Sequence, residues 1–185
     1  MAGIVAVNYS DALFALAQEE NKMEAFKESL VTMDQTFMTM KELSNVMKHP
    51  KISKEDKKKL IDDIFGECDD YVRNFAKLLI DKSRFSNFHD ICSSFVALYN
   101  DFHHIEVAYI QSAVALNEDQ KIRLQQMLEK KTGKHVEMHL RVNEELLAGI
   151  KVKMKDEILD NSAATRLEKM KKQVAKASLH KSEVA

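Results

Sequence analysis

His135 and His139, separated by Val136-Glu137-Met138, come nearest to a metal-binding motif in this sequence. The helical zinc-protease pattern needs two imidazoles one turn apart on a helix, with an acid directly after the first. Here the acid stands one position late. The segment also alternates apolar and polar residues, which places both imidazoles on the wet face of a strand. His103-His104 falls at a helix end, where imidazole can meet the last carbonyls. The carboxylate pairs Asp62-Asp63, Asp69-Asp70 and Glu144-Glu145 are sequence neighbours, so they point apart on a helix and are expected to be solvated rather than to share a proton. Cys68 and Cys92 stand far apart with no paired-cysteine motif and are expected as reduced thiols on helices.

Four scattered glycines cannot build a phosphate-cradling loop, a dinucleotide fingerprint or a serine elbow. The runs Lys57-Lys58-Lys59 and Lys151-Lys153-Lys155 could meet phosphates, but no aromatic residues interleave them and acids lie close by, so each is expected as a solvated face. Lys plus Arg number 28 against 29 Asp plus Glu, a balance that gives no strong field for nucleic acid or an acidic membrane. The expectation is therefore no catalytic centre, no cofactor, no metal and no nucleic-acid partner.

One proline, no tryptophan and an abundance of Met, Leu, Ala, Lys and Glu predict a mainly α protein. The longest apolar run, Ala12 to Ala17, is far short of the roughly 20 residues that span a bilayer, so no membrane insertion is expected. The start of the chain lacks the marks of a secretory or transit leader, which points to a bacterial-type cytoplasmic protein.

Breakers and caps divide the first part of the chain into six helices. Asn21 separates the first two, and His49-Pro50 ends the third, because proline cannot donate a backbone bond and pushes its predecessor out of helical geometry. Ser53, with Asp56 three residues on, caps the fourth, which is expected to close at a left-handed Gly66. Asp69-Asp70 opens the fifth. The sixth carries Phe88, Ile91, Phe95, Leu98 and Phe102 at helical spacing.

After His104 the period changes. Glu106 to Ala113 reads as a strand, and Asn117 with Gln120 forms a capping box for a helix ending at Gly133. Val136, Met138, Leu140 and Val142 alternate with polar residues, as do Ile150, Val152 and Met154, so each segment is a half-buried strand. Ile158-Leu159 makes a short returning strand, and Ser162 caps a last helix reaching about Leu179. The fold class expected is an N-terminal six-helix bundle at 1–104 followed by a small α+β domain at 105–185.

Two helices carry more apolar surface than one buried stripe requires. The first has Ile4, Val5, Val7, Tyr9, Ala12, Leu13, Phe14, Ala15, Leu16 and Ala17; the fifth has Tyr71, Val72, Phe75, Ala76, Leu78, Leu79 and Ile80. Either both are buried all round, or they leave a groove for a partner's amphipathic helix.

Several segments in order resemble a known family. Tyr9-Ser10-Asp11-Ala12-Leu13-Phe14-Ala15-Leu16-Ala17, then His49-Pro50 with Ile52 and Lys57, then Phe75-Ala76-Lys77-Leu78-Leu79 followed by Arg84, then Val107 to Leu116 with Gln120, and finally Leu146-Leu147-Ala148-Gly149-Ile150 continuing to Asp160-Asn161-Ser162 and Leu167, are similar to the delta subunit of bacterial F-type ATP synthase. Its mitochondrial counterpart confers oligomycin sensitivity. Three positions depart from the family pattern: Asn8 replaces a basic residue found in many members, and Ala148 and Asn161 each replace a glycine.

The resemblance implies a non-catalytic stator subunit at the cytoplasmic face of the bacterial plasma membrane. It implies an N-terminal domain that binds the N-terminal helix of an alpha subunit and a C-terminal domain that engages the b-subunit stalk. Carried onto this sequence, the alpha-subunit groove is lined or supported by Tyr9, Ala12, Leu13, Leu16, Phe75, Ala76 and Leu79. Stalk contacts are placed around Leu167, Met170 and Val174. The competing readings are an unrelated helical adaptor and a small hydrolase or metal enzyme.

Overall fold

The computed structural model of the chain describes residues 3–146, 148–155 and 157–160. The chain divides between His103 and His104 into two compact units. The described residues are mainly helical and hold one small four-stranded sheet.

The first unit contains α1 (Ile4–Glu19), α2 (Met23–Thr39), α3 (Lys41–Lys48), α4 (Lys54–Ile64), α5 (Asp70–Asp81) and α6 (Phe88–Phe102). A single 3₁₀ turn, Phe85–Asn87, precedes α6. The breaks follow local chemistry. Asn21 adopts the left-handed φ of 54° that asparagine tolerates, and the Lys22 amide behind it donates to the Ala17 carbonyl at 2.9 Å, closing α1. The Ser53 hydroxyl accepts the Asp56 amide at 3.1 Å, and the Asp69 carboxylate accepts the Tyr71 amide at 2.9 Å, satisfying donors that α4 and α5 would otherwise leave orphaned.

The close of α4 differs from expectation. Gly66 has no positive φ; the helix ends instead on the Phe65 amide, which donates to Ile61 at 3.0 Å, and the Cys68 amide then turns back to Phe65. Phe65 is a core side chain only 3 % exposed, and burying it fixes the chain there without a left-handed glycine. Cys68 consequently lies in the connection before α5, not on a helix, while Cys92 is buried on α6.

α1 packs on α6 and α2, α2 also meets α3, α5 and α6, and α4 packs on α5. Phe26, Leu30, Met33, Ile61, Leu79, Ile91 and Phe95 are fully buried, and such side chains each stabilise by about 1.5–3 kcal/mol. Four phenylalanines, Phe37, Phe65, Phe85 and Phe88, cluster through Phe37, whose ring lies 5.1–5.6 Å from the other three. Two expected solvated groups are not solvated. Lys57 is 9 % exposed with its ammonium donating to the His49 carbonyl at 2.7 Å, and the Asp69 carboxylate, which caps α5, also pairs with Lys22 at 3.1 Å. Each is drawn in because a backbone end needs its polar atom.

Tyr99 is 4 % exposed on α6 and donates its hydroxyl to Glu24 on α2. Burial first, and the Glu24 carboxylate second, push the phenol from 10.0 up to about 12. The neutral form is favoured in the folded chain, so this contribution to stability is complete below pH about 10 and is lost as pH rises toward 12. The expected result is that wild-type stability falls more steeply across that window than does Tyr99→Phe. With no tryptophan in the chain, near-ultraviolet tyrosinate absorbance should show a tyrosine titrating near 12 that the variant lacks.

The second unit is built on β1 (Ile105–Ser112), α7 (Glu118–Thr132), β2 (His135–Val142), β3 (Ile150–Met154) and β4 (Glu157–Asp160). Strand order is β2-β1-β3-β4, with β1 and β2 parallel and the other pairs antiparallel. A parallel pair needs a crossover, and α7 supplies it. The Asn117 and Gln120 side chains form the full capping box at its start, and Gly133 closes it at φ 68°. Ala108, Ile110, Leu124, Leu128, Val136, Val152 and Met154 form the core between helix and sheet.

The apolar alternation of β2 buries only its first half: Val136 is 1 % exposed, but Leu140 is 40 % and Val142 51 % exposed. Gly149 takes the positive φ of 93°, which a residue without a Cβ adopts freely. The expected helix from Ser162 to Leu179 lies outside the described residues.

Candidate functional site

α1 uses its two apolar sides differently. Toward α6 it presents Ser10, whose hydroxyl reaches the Ser94 hydroxyl at 2.8 Å, and Phe14, whose ring edges onto Phe95 and Phe102 at 5.8 Å. Ala6 and Ala17 are fully buried and Leu13 nearly so, and the small side chains let the helices approach closely. This side is ordinary core.

The other side holds Tyr9, Ala12 and Leu16, three and four residues apart and hence in one stripe. The Tyr9 ring meets Phe75 of α5 edge-on at 6.0 Å. Arg84 fixes it from outside, with its guanidinium 5.7 Å from the ring centre and Nη1 donating to the phenol oxygen at 3.2 Å. Beyond this contact the stripe opens: Tyr9 and Leu16 are half-buried and Ala12 is exposed.

On α5 the matching residues are deeper. Phe75, Ala76 and Leu79 are all buried, so they support the surface from below rather than face outward, and Leu13 does the same on α1. On α5, Leu78 stands three residues after Phe75, on the same side of the helix, and is 43 % exposed; Ile4 and Val7 of α1 are also exposed but lie off the Tyr9 stripe, Val7 on the side of Phe14. Sequence reading missed Leu78 as a surface residue and Arg84 as the anchor of Tyr9. The signal for Leu78 was the unbroken Leu78-Leu79-Ile80 run, since three successive positions on a helix cannot all face one core.

The residues weighed for chemistry are not brought together. His135 pairs with Glu129 at 2.9 Å, and His139 pairs with Glu137 at 3.3 Å and stacks on Tyr109; both imidazoles are more than half exposed. His103 lies against the Tyr99 and Phe102 rings. Asp62 is engaged by Lys77 at 2.5 Å and Arg73 at 3.4 Å. Burial pushes the Cys92 thiol well up, away from reactivity. Among the described residues no cluster of three His, Cys, Asp or Glu side chains could hold a metal ion, and no helix is long and apolar enough to cross a membrane. What the α1 and α5 surface can do is bind. Leu167, Met170 and Val174 lie outside the described residues.

Residues 5–174 match the family model of the ATP synthase delta (OSCP) subunit. The chain belongs to that family. It is 35 % identical over 178 residues to the ATP synthase subunit delta of Desulfitobacterium hafniense, covering 96 % of this chain and 99 % of that one. With the ATP synthase subunit delta of Bacillus thuringiensis it shares 33 % identity over 175 residues, 94 % of this chain and 97 % of the relative. A chain in the cryo-electron microscopy structure of the Toxoplasma gondii mitochondrial ATP synthase hexamer has the same fold, with a TM-score of 0.74 at 17 % identity over 94 % of this chain and 98 % of that one. Membership in the delta (OSCP) family makes the chain a non-catalytic component of the ATP synthase stator and sets aside the unrelated-adaptor and enzyme readings.

Proposed function

We propose that the chain joins the catalytic head of an F-type ATP synthase to its peripheral stalk and so resists the torque exerted on the head by the rotating central stalk. In this reading residues 1–104 form a six-helix bundle whose α1 and α5 receive the N-terminal helix of an alpha subunit. Residues 105–185 engage the b-subunit stalk, with Leu167, Met170 and Val174 in the contact region. The complex works at the cytoplasmic face of the bacterial plasma membrane. The chain itself supplies no proton path and no nucleotide site.

The observation that carries the reading is apolar surface left uncovered along α1 where it meets α5. Tyr9 and Leu16 are half-buried and Ala12 is exposed along one stripe of α1, Leu78 is exposed on the Phe75 side of α5, and Ala12 provides a flat place for a second backbone. An amphipathic helix laid there buries its apolar face as helix-in-groove partners do. About half a dozen apolar side chains at roughly 1.5–3 kcal/mol each can exceed an association cost of about 4–15 kcal/mol.

The function is tested by calorimetric titration of the full chain with a peptide of the alpha-subunit N-terminal segment and, separately, with the soluble part of the b subunit. Two saturable events, each unaffected by prior saturation of the other, are expected. Absence of alpha-peptide binding would remove the head-attachment role.

A further inference from the structure

Away from α1, the connection between α3 and α4 and the turn after α5 enclose a cavity of about 370 Å³. Its lining has an unusual charge pattern. Lys48, Lys54 and Lys57 all reach it, Ser83 and Ser86 add hydroxyls, and the remaining walls are Met47, Pro50, Ile52, Ile80 and Phe85. Among the described residues no carboxylate lines it.

Lys57 makes the pattern informative. It is only 9 % exposed, yet among the described residues its ammonium has one partner, the His49 carbonyl at 2.7 Å, and no carboxylate within ion-pair distance. An ammonium carries three donors, so two remain to be satisfied, and a buried cation without a counter-charge is costly. Lys54 is held at the same, solvent-facing rim by the Asp81 carbonyl at 2.6 Å, again a neutral acceptor. The nearby Asp81 carboxylate is occupied elsewhere, by Lys58 at 2.5 Å. Three cations and two hydroxyls with no acid among them are the donors that a multiply charged tetrahedral oxyanion needs, and lysine is a point-charge ligand for such groups. The apolar walls lower the local dielectric and strengthen each contact.

We propose that this cavity binds a small oxyanion of the phosphate class, with Lys57 at its base and Lys48 and Lys54 at its mouth. The same chemistry is offered by free phosphate and by the phosphoryl group of a small organic molecule whose body rests on Ile52, Ile80 and Phe85.

The test is an amide NMR titration of the full chain with inorganic phosphate and, in a second arm, with an aromatic phosphate monoester, both at constant ionic strength with chloride as the control. Saturable shifts are expected at residues 47–57 and 80–86, with a Kd of about 1 mM or tighter. Tighter binding of the monoester would assign the site to a phosphoryl group on an apolar body, and tighter binding of phosphate to the free ion. Lys48→Ala, an exposed position, should weaken binding about tenfold. Lys57→Met, which keeps the packed stem but removes the charge, should abolish saturation. If Lys57→Met fails to fold by circular dichroism, Lys48→Ala and Lys54→Ala decide the matter. Shifts that grow linearly, that chloride reproduces, or that persist unchanged in folded lysine variants would overturn the proposal.

Discussion

Replacing Ala12 by glutamate is expected to weaken binding of the alpha-subunit N-terminal helix by about a hundredfold while leaving the chain folded. Ala12 is exposed, and glutamate is nearly as good a helix former as alanine, so the stability change should stay within about 0.5 kcal/mol. In the complex, however, the same position would lie beneath a partner helix. A carboxylate there loses its water without gaining a counter-charge, and its longer side chain holds the two backbones apart. A penalty of roughly 3 kcal/mol corresponds to that hundredfold loss. Calorimetric titration gives the affinity and circular dichroism melting gives the fold. Unchanged affinity in a folded Ala12→Glu chain would place the partner elsewhere, and collapse of the helical signal would make Ala12 part of the core.

Phe95→Ala should behave in the opposite way, destroying stability wherever the partner sits. Phe95 is fully buried on α6 and receives the edge of Phe14 from α1 at 5.8 Å, so its ring fastens the helix that carries the proposed groove. Truncating a buried phenylalanine removes its transfer free energy and leaves a cavity, together about 3–5 kcal/mol. Against a total stability of about 5–15 kcal/mol, that is a large fraction. For a chain of this size the melting temperature is expected to fall by roughly 10 °C. Thermal and urea unfolding monitored by circular dichroism check it. A fall of less than about 1 kcal/mol would mean that α1 and α6 are not fastened through this ring. Leu78→Ala provides the contrast: with its side chain 43 % exposed, it should cost little stability but lower affinity for the alpha-subunit helix.

The sequence made helix boundaries legible wherever a boundary is enforced by a local, irreplaceable group. Pro50 has no amide to donate, Ser53 and Asn117 carry capping oxygens, and Gly133 needs a left-handed φ, so each could be placed from its neighbours alone. Gly66 misled because a glycine permits the left-handed conformation without requiring it; burial of Phe65, a tertiary effect, decided how α4 ends. Lys57 misled for the same reason. Its charge suggested water, but the fold placed the His49 carbonyl within reach and drew the ammonium inward.

The candidate site was half legible. Apolar excess on α1 and α5 is a property of composition and can be counted; of the α1 residues it singles out, Tyr9, Ala12 and Leu16 share one stripe while Leu13 is buried. Which residues of α5 face outward depends on how α2 and α4 pack against it, and no local signal carries that. Phe75, Ala76 and Leu79 were therefore chosen as lining or support and lie beneath the surface, while Leu78 stands on it. The β2 strand shows a parallel limit. Its period of two is real, but alternation says which residues share a face and not how far along the strand that face is covered, so Leu140 and Val142 emerge exposed.

The most direct test of head attachment is to map, by amide and methyl NMR on the full chain, where a saturating alpha-subunit N-terminal peptide changes its surroundings. Perturbations are expected to concentrate at Tyr9, Ala12 and Leu16 of α1 and at Leu78 of α5, with residues 105–160 unaffected. Perturbations confined to α2, α3 or the sheet, with α1 untouched, would contradict attachment there.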